Sequence, residues 1–200
     1  MHSTTDKKHL RAFLRHRRSA LFLQERIYAA QAVYNKIMTL NPFWVSQNIA
    51  FYKAHDAEVS IDNVLKKAQT IQKNCYLPVL RSCQRQLDFY SYHLENPLIK
   101  NRFGIEEPDT SQEKLISIAN LNLIFLPLVA FDKRGNRLGR GAGYYDRALA
   151  PLKDRALKKP PVLVGIAYNF QKINKIRIEK WDVPLNFVIT EKKFINFRMP

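Results

Sequence analysis

A cluster of glycines and arginines in the second half of the chain could bind phosphate groups. Four of the six glycines stand within nine residues, at 135, 139, 141 and 143. Glycines after a strand let the backbone approach a ligand and direct N–H groups toward it. Arg137, Arg140 and Arg147 add guanidinium groups suited to phosphate oxygens. Because the cluster follows an apolar run and precedes a predicted helix, whose N-terminus attracts anions, residues 135–147 predict a nucleotide-phosphate site.

The spacing of these glycines matches neither of the two common phosphate-binding fingerprints. A Walker loop requires Gly-Lys-Ser/Thr at its end, which this segment lacks, and Tyr144 stands where a dinucleotide fingerprint has its third glycine. A tight turn between a strand and a helix is the competing interpretation. Asp146 lies among the arginines, and its residue type leaves two roles open, an ion-pair partner or a ligand of a hard cation such as Mg²⁺.

The order of predicted elements favours an α/β fold. Residues 5–38 contain neither glycine nor proline, so they predict two helices or one broken helix that end before Asn41. Further helices are predicted at 60–72, capped by Ser60, and at 144–152. Strands are predicted at 48–54, 74–80, 86–92, 121–131, 161–168 and 185–190, and a loop at 96–112.

Strands that alternate with helices, some of them continuously apolar, predict a mostly parallel sheet between helical layers. We expect one three-layer domain across residues 1–200, with an N-terminal helical arm at 1–40 and an α/β core at 41–200. In open sheets of this kind ligands bind at the carboxyl ends of the strands, so we expect the active site there.

The composition indicates a globular chain with anionic partners. Its 200 residues fit one domain, and 33 Lys and Arg against 17 Asp and Glu leave a net charge of +16. A nucleic-acid-binding module is the rival class, but the basic residues are spread along the chain and no nucleic-acid-binding sequence motif appears. We therefore expect anionic partners other than a nucleic acid.

The remaining composition signals favour a cytoplasmic protein. Cys75 and Cys83 are too few for a disulfide framework and match no zinc spacing, so we expect reduced thiols. The five histidines show no metal-ligand spacing either. The polar start predicts no secretory signal, and the longest nearly apolar run, 123–131, is too short to span a membrane. We expect a monomer with no membrane partner.

Residues 127–147 resemble the signature of the 5-formyltetrahydrofolate cyclo-ligases, also called methenyltetrahydrofolate synthetases. The segment reads Pro-Leu-Val-Ala-Phe-Asp, then Gly-Asn-Arg-Leu-Gly-Arg-Gly-Ala-Gly-Tyr-Tyr-Asp-Arg. Other segments resemble further family elements in the expected order, at 7–11, 57–59, 103–108, 164–167 and 182–191. The resemblance spans nearly the whole chain.

The resemblance implies both a fold and a reaction. The fold would be NagB/RpiA/CoA-transferase-like. The reaction would convert 5-formyltetrahydrofolate, with or without a polyglutamate tail, and ATP into 5,10-methenyltetrahydrofolate, ADP and phosphate, with magnesium. Phosphoryl transfer needs positioning and charge neutralisation rather than a side-chain nucleophile.

By the same resemblance, ATP would contact the N-terminal helix and residues 135–147, the glycine segment. The helix would contribute Lys7 and Arg11, with Lys8 as the alternative if the register shifts by one. The segment would contribute Arg137, Leu138, Gly139, Arg140, Gly141, Ala142, Gly143, Tyr144 and Tyr145. Arg140, Tyr144 and Asp146 would be the catalytic residues, with Arg140 stabilising charge on the transferring phosphoryl group.

The resemblance also implies folate and metal contacts. Folate would meet Lys53, Glu58, Arg140, Gly141, Ala142, Gly143 and Tyr144, with the Glu58 carboxylate facing the pterin. Magnesium would be held by Asp146 and Asp182. Two positions depart from the family pattern: Trp181 stands where histidine is usual, and Asn186 stands where a second aspartate is common. If that second carboxylate were the metal ligand, magnesium binding here would be weaker.

Overall fold

The computed structural model describes residues 4–81, 86–111, 113–154, 157 and 159–197. In these residues the α-helices are α1 (Thr4–Ser19), α2 (Leu23–Met38), α3 (Asn41–Val45), α4 (Asp62–Thr70) and α5 (Tyr144–Leu149). The strands are β1 (Asn48–Ala50), β2 (Asn74–Arg81), β3 (Gln86–Ser91), β4 (Leu98–Lys100), β5 (Glu106–Pro108), β6 (Leu115–Ile116), β7 (Leu123–Pro127), β8 (Ala130–Phe131), β9 (Arg137–Leu138), β10 (Val162–Ile166), β11 (Phe187–Ile189) and β12 (Phe194–Asn196).

One mixed sheet of eight strands organises the fold. Its order is β12-β11-β10-β7-β1-β2-β3-β6. The central strands β11, β10, β7, β1 and β2 are parallel, and antiparallel strands lie at both edges. The predicted mostly parallel α/β sheet is therefore confirmed. Because β1 and β7 are adjacent and parallel, the segments that follow them emerge side by side.

Helices cover both faces of the sheet. Successive side chains of a strand point to opposite faces, so neighbouring residues of β1 enter different clusters. Ile49 packs with Val33 of α2 and Leu65 of α4 on one face. Ala50 packs on the other face, where Leu149 of α5 is also buried. The sheet thus lies between two apolar layers, and α5 holds the end of the glycine segment against it.

The apolar run at 121–131 was wrongly predicted as a single strand. β7 ends at Pro127, and the chain then leaves the main sheet to pair β8 with β9 in a separate hairpin. Leu128, Val129, Ala130 and Phe131 are all buried despite lying beyond β7. The apolar residues of this run are buried, and burial continues past Pro127, where the strand pairing changes. Apolar character therefore predicts burial here but not the end of the strand.

Other element boundaries also differ from prediction. The expected loop at 96–112 contains a hairpin of β4 with β5, whose short strands carry too few residues to show an alternating pattern. The predicted strand at 48–54 ends at residue 50. The helix predicted at 144–152 is α5 followed by a 3₁₀ turn at Ala150–Lys153 that contains Pro151, whose missing N–H cannot continue the α-helix.

Cys75 is a buried free thiol, and burial raises its pKa to about 12, so it stays protonated. Cys83 lies outside the described residues. Across the part of the chain that the structure describes, none of the helices has both the length and the apolar character needed to cross a membrane.

Candidate active site

A cleft of about 620 Å³ opens beyond the carboxyl ends of β1 and β7. Its walls come from α1, the segment after β1, the end of β2, the β4–β5 hairpin and the glycine segment. All the residues predicted to bind ATP, folate or magnesium line this cleft except Lys8. The topology thus gathers side chains that lie as far apart in the sequence as Lys7 and Asp182.

Asp132 and Gly135 fix the turn that leads into the glycine segment. The Asp132 carboxylate is buried, and its Oδ1 accepts hydrogen bonds from the backbone N–H groups of Arg134 at 2.8 Å and Asn136 at 3.1 Å. Gly135 has φ +80°, and an added Cβ would lie 2.9 Å from the carbonyl oxygen of Leu185. Only glycine fits this close approach, so one of the clustered glycines has a packing role rather than a ligand role.

The following loop, residues 139–143, requires glycine at two positions for its backbone shape. Gly141 has φ +106° and Gly143 has φ +71°, which L side chains rarely adopt. The Arg147 side chain returns to donate a hydrogen bond to the carbonyl oxygen of Ala142 at 2.8 Å. Because α5 is only six residues long, its dipole would add little to anion binding, so that function would fall to the loop N–H groups and the guanidinium groups.

Helix α1 reaches the cleft with two cationic side chains. Arg11 Nε donates to the carbonyl oxygen of Gly139 at 2.9 Å, and Lys7 Nζ lies 3.3 Å from Glu179 Oε1. Burial lowers the pKa of Arg11, while the negative charge of Asp146 raises it. Lys8 is exposed and is not among the residues that line the cleft. The structure therefore brings Lys7, and not the alternative Lys8, to the site.

Asp146 forms an ion pair with a neighbour from the same segment. Arg137 Nη2 lies 2.7 Å from Asp146 Oδ1, and Arg137 Nη1 also donates to the carbonyl oxygen of Val183. Burial lowers the pKa of Arg137, and the charges of Asp146 and Asp182 oppose that shift. Asp182 Oδ2 accepts the backbone N–H of Glu179 at 2.8 Å. Both predicted metal ligands thus lie within the electrostatic reach of a single guanidinium group.

Arg140 is held by the segment that follows β1. Its Nε lies 3.3 Å from Glu58 Oε1, and its Nη2 donates to the carbonyl oxygen of His55 at 3.3 Å. A third contact runs from Nη2 to Asp56 Oδ2 at 3.8 Å. The predicted catalytic cation is therefore fixed across the cleft by a loop more than eighty residues away in the sequence.

Glu58 is almost fully buried while it faces two cations. Its side chain is 7% exposed, and Arg18 Nη1 lies 3.8 Å from the same Oε1 that Arg140 contacts. Its Oε2 accepts the backbone N–H of His55 at 3.2 Å. Burial raises the pKa of Glu58, and the charges of Arg140 and Arg18 oppose that rise. A carboxylate in this setting keeps lone pairs available for a further donor.

The other predicted contacts line the cleft walls. Lys53 Nζ lies 2.8 Å from Asp62 Oδ1 at the start of α4. The Tyr144 hydroxyl accepts a hydrogen bond from Arg102 Nη2 at 3.1 Å, which joins the β4–β5 hairpin to the glycine segment. Burial and the charge of Glu58 raise the pKa of the Tyr145 phenol, so it remains a neutral donor.

No role was predicted from the sequence for Arg18 or Asp56, which form an ion pair beside Arg140. Arg18 is 1% exposed, and its Nη2 lies 2.9 Å from Asp56 Oδ2. Arg18 stands four residues after the buried Leu14, on the helix face that packs inward, and this spacing was the available signal. No local sequence pattern indicated a role for Asp56, because Arg18, its ion-pair partner, lies 38 residues earlier.

The two departures from the family pattern have different positions. Trp181 is 58% exposed and lines the cleft. Asn186 instead faces β10, where its Oδ1 accepts the backbone N–H of Leu163 at 2.7 Å. The amide therefore completes backbone pairing between strands, away from the residues that line the cleft.

Sequence comparison identifies the family. A family model described as the 5-formyltetrahydrofolate cyclo-ligase family matches residues 3–191. The chain belongs to this family. It is 35% identical to a 5-formyltetrahydrofolate cyclo-ligase of Haemophilus influenzae, over 92% of this chain and 96% of that protein. It is 33% identical to the enzyme of the same name from Escherichia coli, over 90% of this chain and 97% of that protein.

Solved structures of family members have the same fold. The NMR structure of Aquifex aeolicus 5,10-methenyltetrahydrofolate synthetase superposes with a TM-score of 0.80 at 29% identity, covering 97% of this chain and 94% of that one. A 5,10-methenyltetrahydrofolate synthetase from Mycoplasma pneumoniae gives a TM-score of 0.73 at 27% identity, covering 93% and 99%. The family resemblance drawn from residues 127–147 is confirmed.

Proposed function

We propose that the chain catalyses the ATP-dependent cyclisation of 5-formyltetrahydrofolate to 5,10-methenyltetrahydrofolate, with release of ADP and phosphate. The assignment of this reaction rests on family membership, which extends over nearly the whole chain. The cleft beyond β1 and β7, where α1 and the glycine segment meet, carries the assignment of the site. We also propose that the sheet is of the NagB/RpiA/CoA-transferase-like type and that the enzyme acts in the cytoplasm.

The proposed reaction has two bond-forming steps. The formyl oxygen of the substrate attacks the γ-phosphorus of ATP, and the bond to the β-phosphate oxygen breaks to release ADP. The second folate nitrogen then attacks the formyl carbon and closes the ring. The carbon–oxygen bond breaks, phosphate leaves with the former formyl oxygen, and the nitrogen loses its proton. Phosphorylation is needed because an amide oxygen is a poor leaving group.

The side chains around the glycine segment supply the charge neutralisation that this transfer needs. Lys7 and Arg11, from α1, would neutralise the phosphates of ATP, and the N–H groups of residues 139–143 would donate hydrogen bonds to the phosphate oxygens. Arg140 would stabilise the charge that develops on the transferring phosphoryl group, because Glu58 and the His55 carbonyl oxygen already fix its guanidinium. A positioned cation loses less entropy on reaction than a mobile one.

The folate would lie on the side of the cleft formed by the segment after β1. Glu58 would accept N–H groups of the pterin with the lone pairs that its present hydrogen bonds leave available. Lys53, which is partly buried beside Asp62, would meet a polar part of the substrate at the same wall. The Tyr144 hydroxyl would approach the formyl end from the glycine segment.

The donor set beside Arg137 fits a magnesium ion carried in with the nucleotide. Magnesium is usually held by one or two carboxylates together with phosphate oxygens and waters. Asp146 and Asp182 supply two carboxylates near one guanidinium group, and the described residues contain no cluster of three or more His, Cys, Asp or Glu side chains. We propose that Asp146 and Asp182 hold Mg²⁺, which would neutralise phosphate charge when bound.

Near-ultraviolet absorbance of the methenyl product tests the proposed function. Purified protein with 5-formyltetrahydrofolate, ATP and magnesium is expected to form product with one ADP and one phosphate released per turnover. Formyl-¹⁸O substrate is expected to transfer its label to phosphate. Asp146→Asn is expected to lose most turnover while remaining folded. Product formation without ATP, absence of product, or label retained in the folate would contradict the proposal.

A further inference from the structure

Arg18 and Asp56 form an ion pair behind the wall of the cleft. Arg18 is 1% exposed, and its Nη2 lies 2.9 Å from Asp56 Oδ2. Arg15 Nε reaches the same oxygen at 2.7 Å. A guanidinium group stays charged at every physiological pH, so a buried one needs an anionic partner. Neither Arg18 nor Asp56 is among the residues that line the cleft, and the reaction gives neither of them a direct task.

Arg18 connects the two segments that emerge from β1 and β7. Besides Asp56, it donates from Nη1 to the carbonyl oxygen of Leu128 at 3.3 Å, just beyond β7. The same Nη1 lies 3.8 Å from Glu58 Oε1. A single side chain from α1 therefore ties the segment after β1 to the start of the segment that carries the glycines.

The segment held by Arg18 has a costly backbone conformation. Asp56 and Ala57 both have φ +56°, so two consecutive residues other than glycine lie in the left-handed region. Such residues persist only where surrounding contacts fix them. Arg15 and Arg18 fix Asp56, and the Tyr168 hydroxyl donates to the carbonyl oxygen of Ala57 at 3.2 Å.

This strained turn supplies three contacts of Arg140. The carbonyl oxygen of His55 and the carboxylate of Glu58 each lie 3.3 Å from its guanidinium, and the Asp56 carboxylate lies at 3.8 Å. His55 and Glu58 flank the left-handed residues and Asp56 is one of them, so a change in the turn would move the acceptors that hold Arg140. The Arg18–Asp56 ion pair and the Arg140 guanidinium are thus connected through residues 55–58.

We propose that the Arg18–Asp56 ion pair positions the Arg140 guanidinium for phosphoryl transfer. Arg18 and Asp56 are positioning residues, which act through Arg140 and the turn at 55–58 rather than by touching substrate. This inference rests on the role proposed above for Arg140. It predicts that loss of the pair slows the chemical step while the ATP-binding contacts of Lys7 and Arg11 remain.

A double-mutant cycle tests the proposal. Asp56→Asn keeps the shape of the side chain but removes its charge, and Arg18→Lys keeps the charge but removes the fork that reaches two partners. Each is expected to lower kcat about tenfold or more while the Kd for ATP changes by about twofold or less. In an Arg140→Ala background, each is expected to lower kcat by about twofold at most, because the group they position is absent.

Two controls separate positioning from loss of fold. Arg26→Gln removes an arginine that holds the turn between α1 and α2 by donating to the carbonyl oxygens of Ser19 and Leu21, so it is expected to leave kcat unchanged. Thermal unfolding and ATP binding are measured for every variant, and kcat is referred to the folded fraction. Arg18→Lys keeps the proposal testable if Asp56→Asn does not fold.

The outcomes distinguish this inference from the proposed function. Wild-type kcat in both Asp56→Asn and Arg18→Lys would overturn the inference, as would an equal loss of kcat with and without Arg140. If Arg140→Ala alone turns over at the wild-type rate, the role proposed for Arg140 is itself wrong. Loss of kcat that disappears in the Arg140→Ala background would support both.

Discussion

Arg140 Nε lies 3.3 Å from Glu58 Oε1, although the two residues are 82 positions apart. The family resemblance implies phosphate contacts for Arg140 and pterin contacts for Glu58, so the pair would join the two halves of the proposed reaction. The formyl oxygen must reach the γ-phosphorus at the place where these halves meet. If Glu58 faces the folate as proposed, the cation that it holds would lie where the phosphoryl group passes from one substrate to the other.

Lys7 and Lys8 provide a matched test of the N-terminal helix. Lys7 lines the cleft 3.3 Å from Glu179, whereas Lys8 is exposed outside it. We expect Lys7→Ala to raise the KM for ATP about tenfold, the effect of losing about 1.4 kcal/mol of phosphate binding, and Lys8→Ala to change it by about twofold or less. Steady-state kinetics with ATP as the varied substrate measure both. A larger effect in Lys8→Ala would show that the other lysine contacts the nucleotide.

Gly141 and Gly139 test whether the glycine loop needs its backbone shape. Gly141 has φ +106°, whereas an added Cβ at Gly139 meets nothing within 4 Å and its φ is not positive. We expect Gly141→Ala to disturb the loop at a cost of about 1–3 kcal/mol and to weaken ATP binding accordingly. Gly139→Ala is expected to bind ATP as the wild type does. Titration calorimetry with ATP measures the two affinities, and equal affinities would show that the loop conformation is not required.

The glycine segment was predictable because its backbone conformation requires glycine, and glycine is visible in the sequence. Gly141 and Gly143 have positive φ, and no other residue type serves there as well. The central strands were predictable because both of their faces are buried, which makes them continuously apolar. The β4–β5 hairpin was not predictable, since three-residue strands show too little pattern.

The support of Arg140 was beyond reach for a different reason. Asp56 and Ala57 adopt left-handed φ values without being glycine, so the turn leaves no mark in composition. The spacing of Arg18 from Leu14 indicates an inward position, but its partners are set by the sheet, which places β1 and β7 side by side. Contacts between distant segments depend on the order of the strands in the sheet. That order cannot be inferred from the types of the single residues in contact.

Ala57 offers a test of stored strain. Glycine adopts φ +56° without the cost of about 1–2 kcal/mol that an L side chain meets there, although it loses more entropy on folding. We expect Ala57→Gly to leave the free energy of unfolding unchanged or to raise it by up to about 1 kcal/mol. Ala12→Gly, at an exposed position of α1, is expected to lower it by about 1 kcal/mol. Urea denaturation compares them, and equal destabilisation would show that Ala57 is unstrained.

Asp56 and Glu58 are expected to give opposite pH dependences of stability. Burial alone would raise the pKa of Asp56, but the hydrogen bond from Arg15 and the charge of Arg18 lower it below the ordinary value of 3.8. Its contribution to stability is therefore present above that value and lost as pH falls through the lowered pKa. Burial raises the pKa of Glu58 above 4.5. Its contribution is therefore present below that value and lost as pH rises through the raised pKa.

Denaturation of two variants at several pH values measures these contributions. The difference in unfolding free energy between wild type and Asp56→Asn is expected to shrink as the solution is acidified. The difference between wild type and Glu58→Gln is expected to shrink as pH increases from about 4.5 toward neutrality. If both differences change with pH in the same direction, the assignment of charge within this cluster is wrong.

The most direct test of the site compares two arginines that lie six positions apart in the sequence. Arg140 lies in the cleft against Glu58, whereas Arg134 is exposed on the turn between β8 and β9, outside the cleft lining. In the ATP-dependent cyclisation assay, Arg140→Ala is expected to lose at least about 100-fold in kcat, which corresponds to about 2.7 kcal/mol of barrier. Arg134→Ala is expected to stay within about twofold of wild type. Wild-type turnover by a folded Arg140→Ala enzyme would contradict the placement of the reaction at this loop.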